Sequence, residues 1–269
     1  MLELNNLYCG DCFRLMQDIP DKSIDMILSD PPYACLNKNN KDAKWDKEIN
    51  LQELWKQYER IIKDNGAILL FGQGLFAGKL IMSNPRSYKF DIVWNKVRKT
   101  GFLNAKKIPM RQHEQIFVFY KKLPTYNPQM VKCEPHQRNH SRGSGTHKET
   151  NRNYGKYGKA EDIVTDKKYP SSIITFAKGH GKEDWLHPTA KPIELLRYLI
   201  RTYSNEGDLV LDNFAGSGST CVAAIKENRK FIGMEMDYHF FEVADERIKE
   251  NKQQINLFTN TNNNGTEWK

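Results

Sequence analysis

A chain of 269 residues, 39% of them hydrophobic, can bury a substantial core as one large α/β domain or as a core with an inserted module. It holds no run near the ~20 consecutive apolar residues of a membrane-spanning helix, and its start, MLELNNLYCGD, lacks the basic and apolar segments of a secretion signal. Five scattered cysteines, Cys9, Cys12, Cys35, Cys133 and Cys221, exclude the disulfide framework of a small secreted domain and are expected to be reduced, as in the cytoplasm, while a formal charge of +8 points to an anionic partner if it is concentrated.

In chain order, Asp11 to Met16 predicts a short helix, Ile24 to Leu28 an apolar strand ending at Ser29-Asp30, and Leu51 to Ile62 a helix closed by Asn65-Gly66. Ala67 to Phe71, Phe90 to Trp94 and Gln115 to Tyr120 predict three further strands. From about Lys121 to Asp184, Pro, Gly, His, Asn and Lys dominate and apolar periodicity fades, as in an insertion. Pro192 suits the first turn of a helix to about Tyr203; a strand at Leu209 to Leu211, a helix from Ser219 to Lys226, a strand at Phe231 to Met234 and a helix from Phe240 to Glu250 follow. This is βαβ grammar, which favours a mostly parallel sheet. The expected division is 1–120 and 187–251 as two halves of one core, 121–186 as an insertion, and 252–269 as a disordered tail rich in Asn and Thr.

The charge is concentrated. Between Trp94 and Ala160 fifteen Lys and Arg meet three acids, a balance of +12, so the rest of the chain sums to −4. Lys96, Arg98, Lys99, Lys106, Lys107, Arg111, Arg138, Arg142 and Arg152 are its candidate phosphate contacts. A plain solvated basic face is the competing reading. Cys133, His136, His140 and His147 have a spacing that zinc can use, but their polar surroundings favour solvated histidines, and no metal site is assigned. Cys9-x-x-Cys12 is read as buried structure rather than a redox pair.

Asp212-Asn213-Phe214-Ala215-Gly216-Ser217-Gly218-Ser219-Thr220 runs from a strand through a glycine turn into a helix. Gly216 and Gly218 let a ligand approach the backbone, and the helix start offers free N–H groups. A P-loop needs Lys where Ser219 stands, and Cys221 replaces the third glycine of a dinucleotide fingerprint. Glu235, at the end of the next strand, is positioned to accept from ribose hydroxyls. An adenosine-type cofactor follows, its identity open; a purely structural turn is the alternative.

Asp30-Pro31-Pro32-Tyr33 closes an apolar strand. The prolines have no N–H to give and hold the chain rigid, so the loop presents acceptors: the Asp30 carboxylate and the Pro31 carbonyl. An exocyclic base amine is a poor nucleophile because its lone pair is delocalised. Two acceptors on its N–H groups free that lone pair for in-line attack on an activated methyl group, while Asp30 stabilises the charge developing on nitrogen and Tyr33 offers a ring for stacking. A structural Pro-Pro turn is the bland alternative.

Taken together these residues resemble the amino-directed DNA methyltransferases, whose DPPY motif matches Asp30-Pro31-Pro32-Tyr33 and whose FxGxG motif matches Phe214-Ala215-Gly216-Ser217-Gly218. The order, DPPY first, is that of the family's β class, with target recognition between the motifs. His113-Glu114 and His187-Pro188-Thr189-Ala190-Lys191-Pro192 add to the likeness, which runs from Tyr8-Cys9-Gly10-Asp11 to about Glu250. The resemblance implies a Rossmann-like fold with a mixed, mostly parallel seven-stranded sheet, S-adenosylmethionine as cofactor, and DNA with a flipped-out base as substrate. It also implies Asp11 near the cofactor's adenine, Thr189 and Lys191 near its methionine carboxylate, Glu235 on its ribose, and Asp212, Phe214, Gly216, Gly218, Ser219 and Thr220 in the cofactor loop. Asp at the first motif position is typical of adenine N6 enzymes; cytosine N4, RNA, and a non-catalytic DNA-binding protein are the other readings. A bacterial or phage-encoded cytoplasmic protein, monomeric or homodimeric, with a cognate restriction endonuclease as possible partner, completes the expectation.

Overall fold

The structure is a computed structural model and describes residues 2–34, 48–133, 150–151, 155–156, 166–177 and 190–263. It divides into two compact units, Met1–Asn127 with Ser172–Lys269, and Pro128–Ser171.

In the larger unit, β1 (Asn6–Cys9), α1 (Cys12–Leu15), β2 (Ile24–Ser29), α2 (Leu51–Ile61), β3 (Ile62–Gly72), α3 (Gly74–Ser83), β4 (Tyr88–Thr100) and β5 (Arg111–Phe119) follow in order. The smaller unit holds two short antiparallel pairs: β6 (Val131–Lys132) with β9 (Lys167–Lys168), and β7 (Thr150–Asn151) with β8 (Gly155–Lys156). The larger unit resumes with β10 (Ile173–Thr175), α4 (Ile193–Tyr203), β11 (Leu209–Asp212), α5 (Ser219–Lys226), β12 (Lys230–Glu235) and α6 (Tyr238–Asn263).

One sheet has the order β1-β12-β11-β2-β3-β5-β4-β10. It is parallel except where β5 runs antiparallel to β3 and β4. The expectation of seven strands is therefore corrected to eight. The eighth, β10, lies in the stretch read as an insertion and pairs parallel with β4 through Ile173↔Val93 and Ile174↔Trp94.

Each face of the sheet carries three helices. Leu195, Leu199 and Ile200 of α4, Val222 and Ala223 of α5 and Ala244 and Ile248 of α6 share one apolar cluster with Met26, Leu28 and Val210. Cys12 of α1, Leu54, Trp55 and Tyr58 of α2 and Phe76 and Leu80 of α3 share the other with Ile27, Ile68 and Leu211. Alternate residues of each strand thus feed opposite faces, both covered, which is why the strands read as continuous apolar runs.

Two boundaries differ from the sequence reading. The helix expected to close at Asn65-Gly66 ends at Ile61, and both residues lie inside β3. Gly66 serves close approach there: a Cβ would stand 2.7 Å from the Ile62 side chain and 2.8 Å from the Asp25 carbonyl. The last helix runs to Asn263, through the start of the tail expected to be disordered.

β11 and β2 are adjacent. From β11 the chain passes through α5 outward to β12, and from β2 through α2 the opposite way to β3. Their carboxyl ends therefore flank a topological switch point, the crevice where open α/β sheets bind ligands.

Candidate active site

The loops after β2 and β11 meet at that crevice. Ser29 Oγ donates to Asp212 Oδ1 across the two strand ends at 2.7 Å, and Asp212 Oδ1 also accepts from Phe214 N at 3.1 Å. Asp212 is buried, which raises its pKa to about 6 against the hydrogen bonds that favour its charge.

Asp30 follows directly. Its Oδ1 accepts from the Tyr33 hydroxyl at 2.7 Å, and its Oδ2 is ion-paired with Lys191 Nζ. The Tyr33 ring stacks on Phe76, with centroids 4.9 Å apart and planes 22° from parallel, so one face of the ring is already covered. Ala34 ends the motif in the left-handed region at φ 54°.

Lys191 also lies 3.6 Å from Glu114 Oε2 and 4.9 Å from the centre of the Phe71 ring, while Glu114 Oε1 is 3.0 Å from Lys96 Nζ. Four charges, two of each sign, thus share one largely buried cluster. Burial raises the Asp30 pKa, and Glu114 adds to the rise while Lys191 reduces it. Burial alone would raise Glu114 and lower Lys191, but the opposite charges outweigh it, so Glu114 lies below and Lys191 above its ordinary value.

On the other side of the crevice Gly216 and Gly218 take φ values of 51° and 76°. Glu235, at the end of β12, accepts from Gly216 N through Oε2 at 2.7 Å and from Asp237 N through Oε1 at 2.8 Å. Buried Arg247 of α6 donates to Ser217 O, Ser217 Oγ and Ser219 Oγ, which ties the turn down from behind. Asp11 caps α1, accepting from Phe13 N at 2.8 Å and Arg14 N at 3.2 Å. Among the described residues two buried side-chain atoms lack a hydrogen-bond partner, Glu114 Oε2 and Asn213 Nδ2.

One cavity of about 910 Å³ joins both sides. Of the residues singled out in the sequence, Asp30, Pro31, Pro32 and Tyr33 line it together with Lys191, Lys96, Arg98 and Lys99. So do Asp11, Asp212, Phe214, Gly216, Ser219, Thr220 and Glu235. Gly218 instead packs on α6: a Cβ there would stand 3.0 Å from that of Ala244. Lys96 is turned inward to Glu114, Arg111 donates to Gln73 Oε1 at 2.6 Å, and Lys106 and Lys107 are exposed beyond the rim. Thr189, Arg138, Arg142 and Arg152, with Cys35 and the three histidines weighed as zinc ligands, lie outside the described residues. The paired cysteines separate, Cys9 exposed and Cys12 buried.

Sequence reasoning gave Ser29, Phe76, Asn213 and Arg247 no role at the site, and Glu114 only a place in a resemblance. Ser29 beside Asp30 and Asn213 beside Asp212 were within reach, since polar residues at the ends of apolar strands face the crevice.

An acidic loop and a glycine turn facing each other across one cavity, at the switch point of a three-layer α/β sheet, define an enzyme that brings a nucleoside-type ligand up to a carboxylate-bearing acceptor loop. The sequence model of the DNA methylase family N6_N4_Mtase matches residues 24–246, and the chain belongs to that family. It is 27% identical over 270 residues to the Type II methyltransferase M2.MboI of Moraxella bovis, covering 91% of this chain and 88% of that one. The fold is similar to the crystal structure of an M1.HpyAVI–SAM complex, with TM-score 0.57 and 23% identity over 90% of this chain and 98% of that one. It is also similar to the cytosine-N4-specific PvuII DNA methyltransferase, with TM-score 0.64 and 16% identity over 93% and 92%.

Proposed function

We propose that the chain transfers the methyl group of S-adenosylmethionine to the N6 amine of adenine within a specific DNA sequence. The observation that carries this reading is Asp30, held at the end of β2 on the wall of the same cavity that contains the glycine turn and Glu235. The cofactor fits the residues present. Glu235 is fixed by two backbone N–H groups and keeps acceptor capacity for ribose hydroxyls, Gly216 brings backbone to the cavity wall, and Asn213 Nδ2 is a buried donor in want of an acceptor. The name M2.MboI, a Type II methyltransferase, supports sequence-specific modification, with a cognate endonuclease as partner.

Bound S-adenosylmethionine supplies a methyl group activated on sulfonium. Asp30 and the Pro31 carbonyl each accept one amine N–H, drawing nitrogen toward tetrahedral geometry. Each Asp30 oxygen has a second lone-pair position, so the amine can join without dismantling the bonds to Tyr33 and Lys191. Lys191 opposes the effect of burial and helps keep Asp30 ionised, the form that accepts. Tyr33, backed by Phe76, supplies an aromatic ring in the cavity wall on which a flipped base can stack. Asp rather than Ser at the first motif position supports adenine.

The test is to incubate purified protein with S-adenosylmethionine and unmethylated genomic DNA, then sequence with modification detection. N6-methyladenine at one recurring sequence is expected, lost in Asp30→Ala while calorimetry shows cofactor affinity within about three- to fourfold of wild type, less than 1 kcal/mol. N4-methylcytosine would overturn the base assignment, and methylation of RNA alone would overturn DNA as substrate.

A further inference from the structure

The connection between β4 and β5 is a built knob. Asn104 N donates to Gly101 O at 3.0 Å, Ala105 N to Phe102 O at 3.1 Å, Lys107 N to Asn104 O at 2.8 Å and Ile108 N to Asn104 O at 3.0 Å. Gly101 enters it at φ 88°, a left-handed conformation natural to glycine. On this ordered knob Phe102 is 73% exposed, Leu103 84% and Ile108 60%. Large apolar side chains clustered in water on a hydrogen-bonded turn mark a surface that gains by being covered.

Two features identify that partner. From Ile92 to His113 there are six Lys and Arg and no acid; Lys96 is paired with Glu114 and Arg111 donates to Gln73, and the exposed Arg98, Lys99, Lys106 and Lys107 flank the apolar tip with charge complementary to phosphate. The same arm forms the rim of the Asp30 cavity, since Arg98, Lys99 and Thr100 line it. Their placement comes from a large bulge: four residues of β4, between Asn95 and Thr100, face one of β5, and Val97 within it is held at φ 65°. Across the two-fold axis of a dimer the same surface would set cations against cations, and three apolar side chains are few for an interface of about 800 Å² per partner.

We propose that Phe102 and Leu103 form a wedge that enters the DNA duplex and fills the space vacated when the target base swings into the Asp30 cavity. Apolar side chains inserted between base steps offset lost stacking in this way. A base leaving the stack needs that offset most when it is paired. The inference rests on the DNA-methylation reading.

The experiment compares two duplex oligonucleotides carrying the mapped site, one with the target base paired and one with it opposite an abasic position. Phe102→Ala/Leu103→Ala should lower kcat/KM on the paired duplex by about tenfold or more, since lost unstacking compensation of a few kcal/mol exceeds one decade. On the unpaired duplex it should come within about threefold of wild type, less than 1 kcal/mol. Phe102→Trp/Leu103→Met, which restores bulk, should recover the paired substrate. Unchanged activity on the paired duplex, equal loss on both, or a change of oligomeric state by sedimentation overturns the wedge alone. A wild-type protein inactive on both duplexes overturns the functional reading and the wedge with it.

Discussion

Gly218→Ala should destabilise the protein by about 1–4.6 kcal/mol. At φ 76° and ψ 17° the residue is left-handed, which costs an alanine about 1–2 kcal/mol. Its Cβ would also stand 3.0 Å from Ala244 Cβ, 3.3 Å from Ala244 Cα and 3.4 Å from Ala244 O, a contact with backbone that cannot rotate away. Overpacking of this kind costs about 1–3 kcal/mol, partly offset by the roughly 0.4–1 kcal/mol that alanine gains through a stiffer unfolded chain. Urea unfolding of the cofactor-free protein measures the sum. Ala244→Gly separates the parts: in the double variant the tightest contact, Cβ on Cβ at 3.0 Å, is removed while those to the residue 244 backbone and the left-handed strain persist, so the two substitutions should couple favourably by about 0.5–3 kcal/mol. A loss under about 1 kcal/mol, or additivity between the two sites, would refute the claim that Gly218 is required by packing on α6.

Three other perturbations separate the roles at the crevice. Glu235→Ala should weaken cofactor binding by at least about tenfold in calorimetry, because charge-assisted hydrogen bonds contribute about 1.5–3 kcal/mol each; unchanged affinity would remove Glu235 from the ribose site. Lys191→Met removes the cation that lowers the Asp30 pKa. Transfer needs ionised Asp30 and fails as pH falls through that pKa, so the acid limb of the pH–rate profile should move to higher pH; an unmoved limb would dissociate Lys191 from Asp30 in the working enzyme. Asp212 has a pKa of about 6 when folded, above its unfolded value, so the folded state binds more protons between about pH 4 and 6 and loses stability as pH rises through that window. Asp212→Asn lacks this loss, and over the window its stability should gain on wild type by about 3 kcal/mol, two pKa units at 1.36 kcal/mol each; parallel stability curves would show that Asp212 is not strained by burial.

The parts of this fold visible in the sequence are those where local pattern and burial agree. α5 was bounded at Ser219 and Lys226 because a glycine turn precedes it and a βαβ alternation surrounds it. β2 and β11 were legible because strands covered on both faces are apolar throughout. α3 was missed because Leu75 and Met82 are exposed among its buried residues, which blurs the 3.6-residue period. β1 and β10 have four and three residues, too short for any periodicity, and exist only because β12 and β4 offer partners. At the site, motif residues could be named but not their pairing. Lys191 and Asp30 are 161 positions apart, and nothing local in either segment shows that the lysine meets the Asp30 loop and Glu114 at once.

The smaller unit leaves and re-enters the larger one at well-fastened points. Asn127 N donates to Thr202 O at 2.7 Å and its Nδ2 to the carbonyls of Arg201 and Ser204 at the end of α4, while β10 begins two residues after Ser171 on the other side. Neither any strand of the eight nor any described residue lining the cavity falls within Pro128–Ser171. The path through Pro128–Ser171 therefore departs and returns at ends that the larger unit's own hydrogen bonds hold in place, at the end of α4 and at β10.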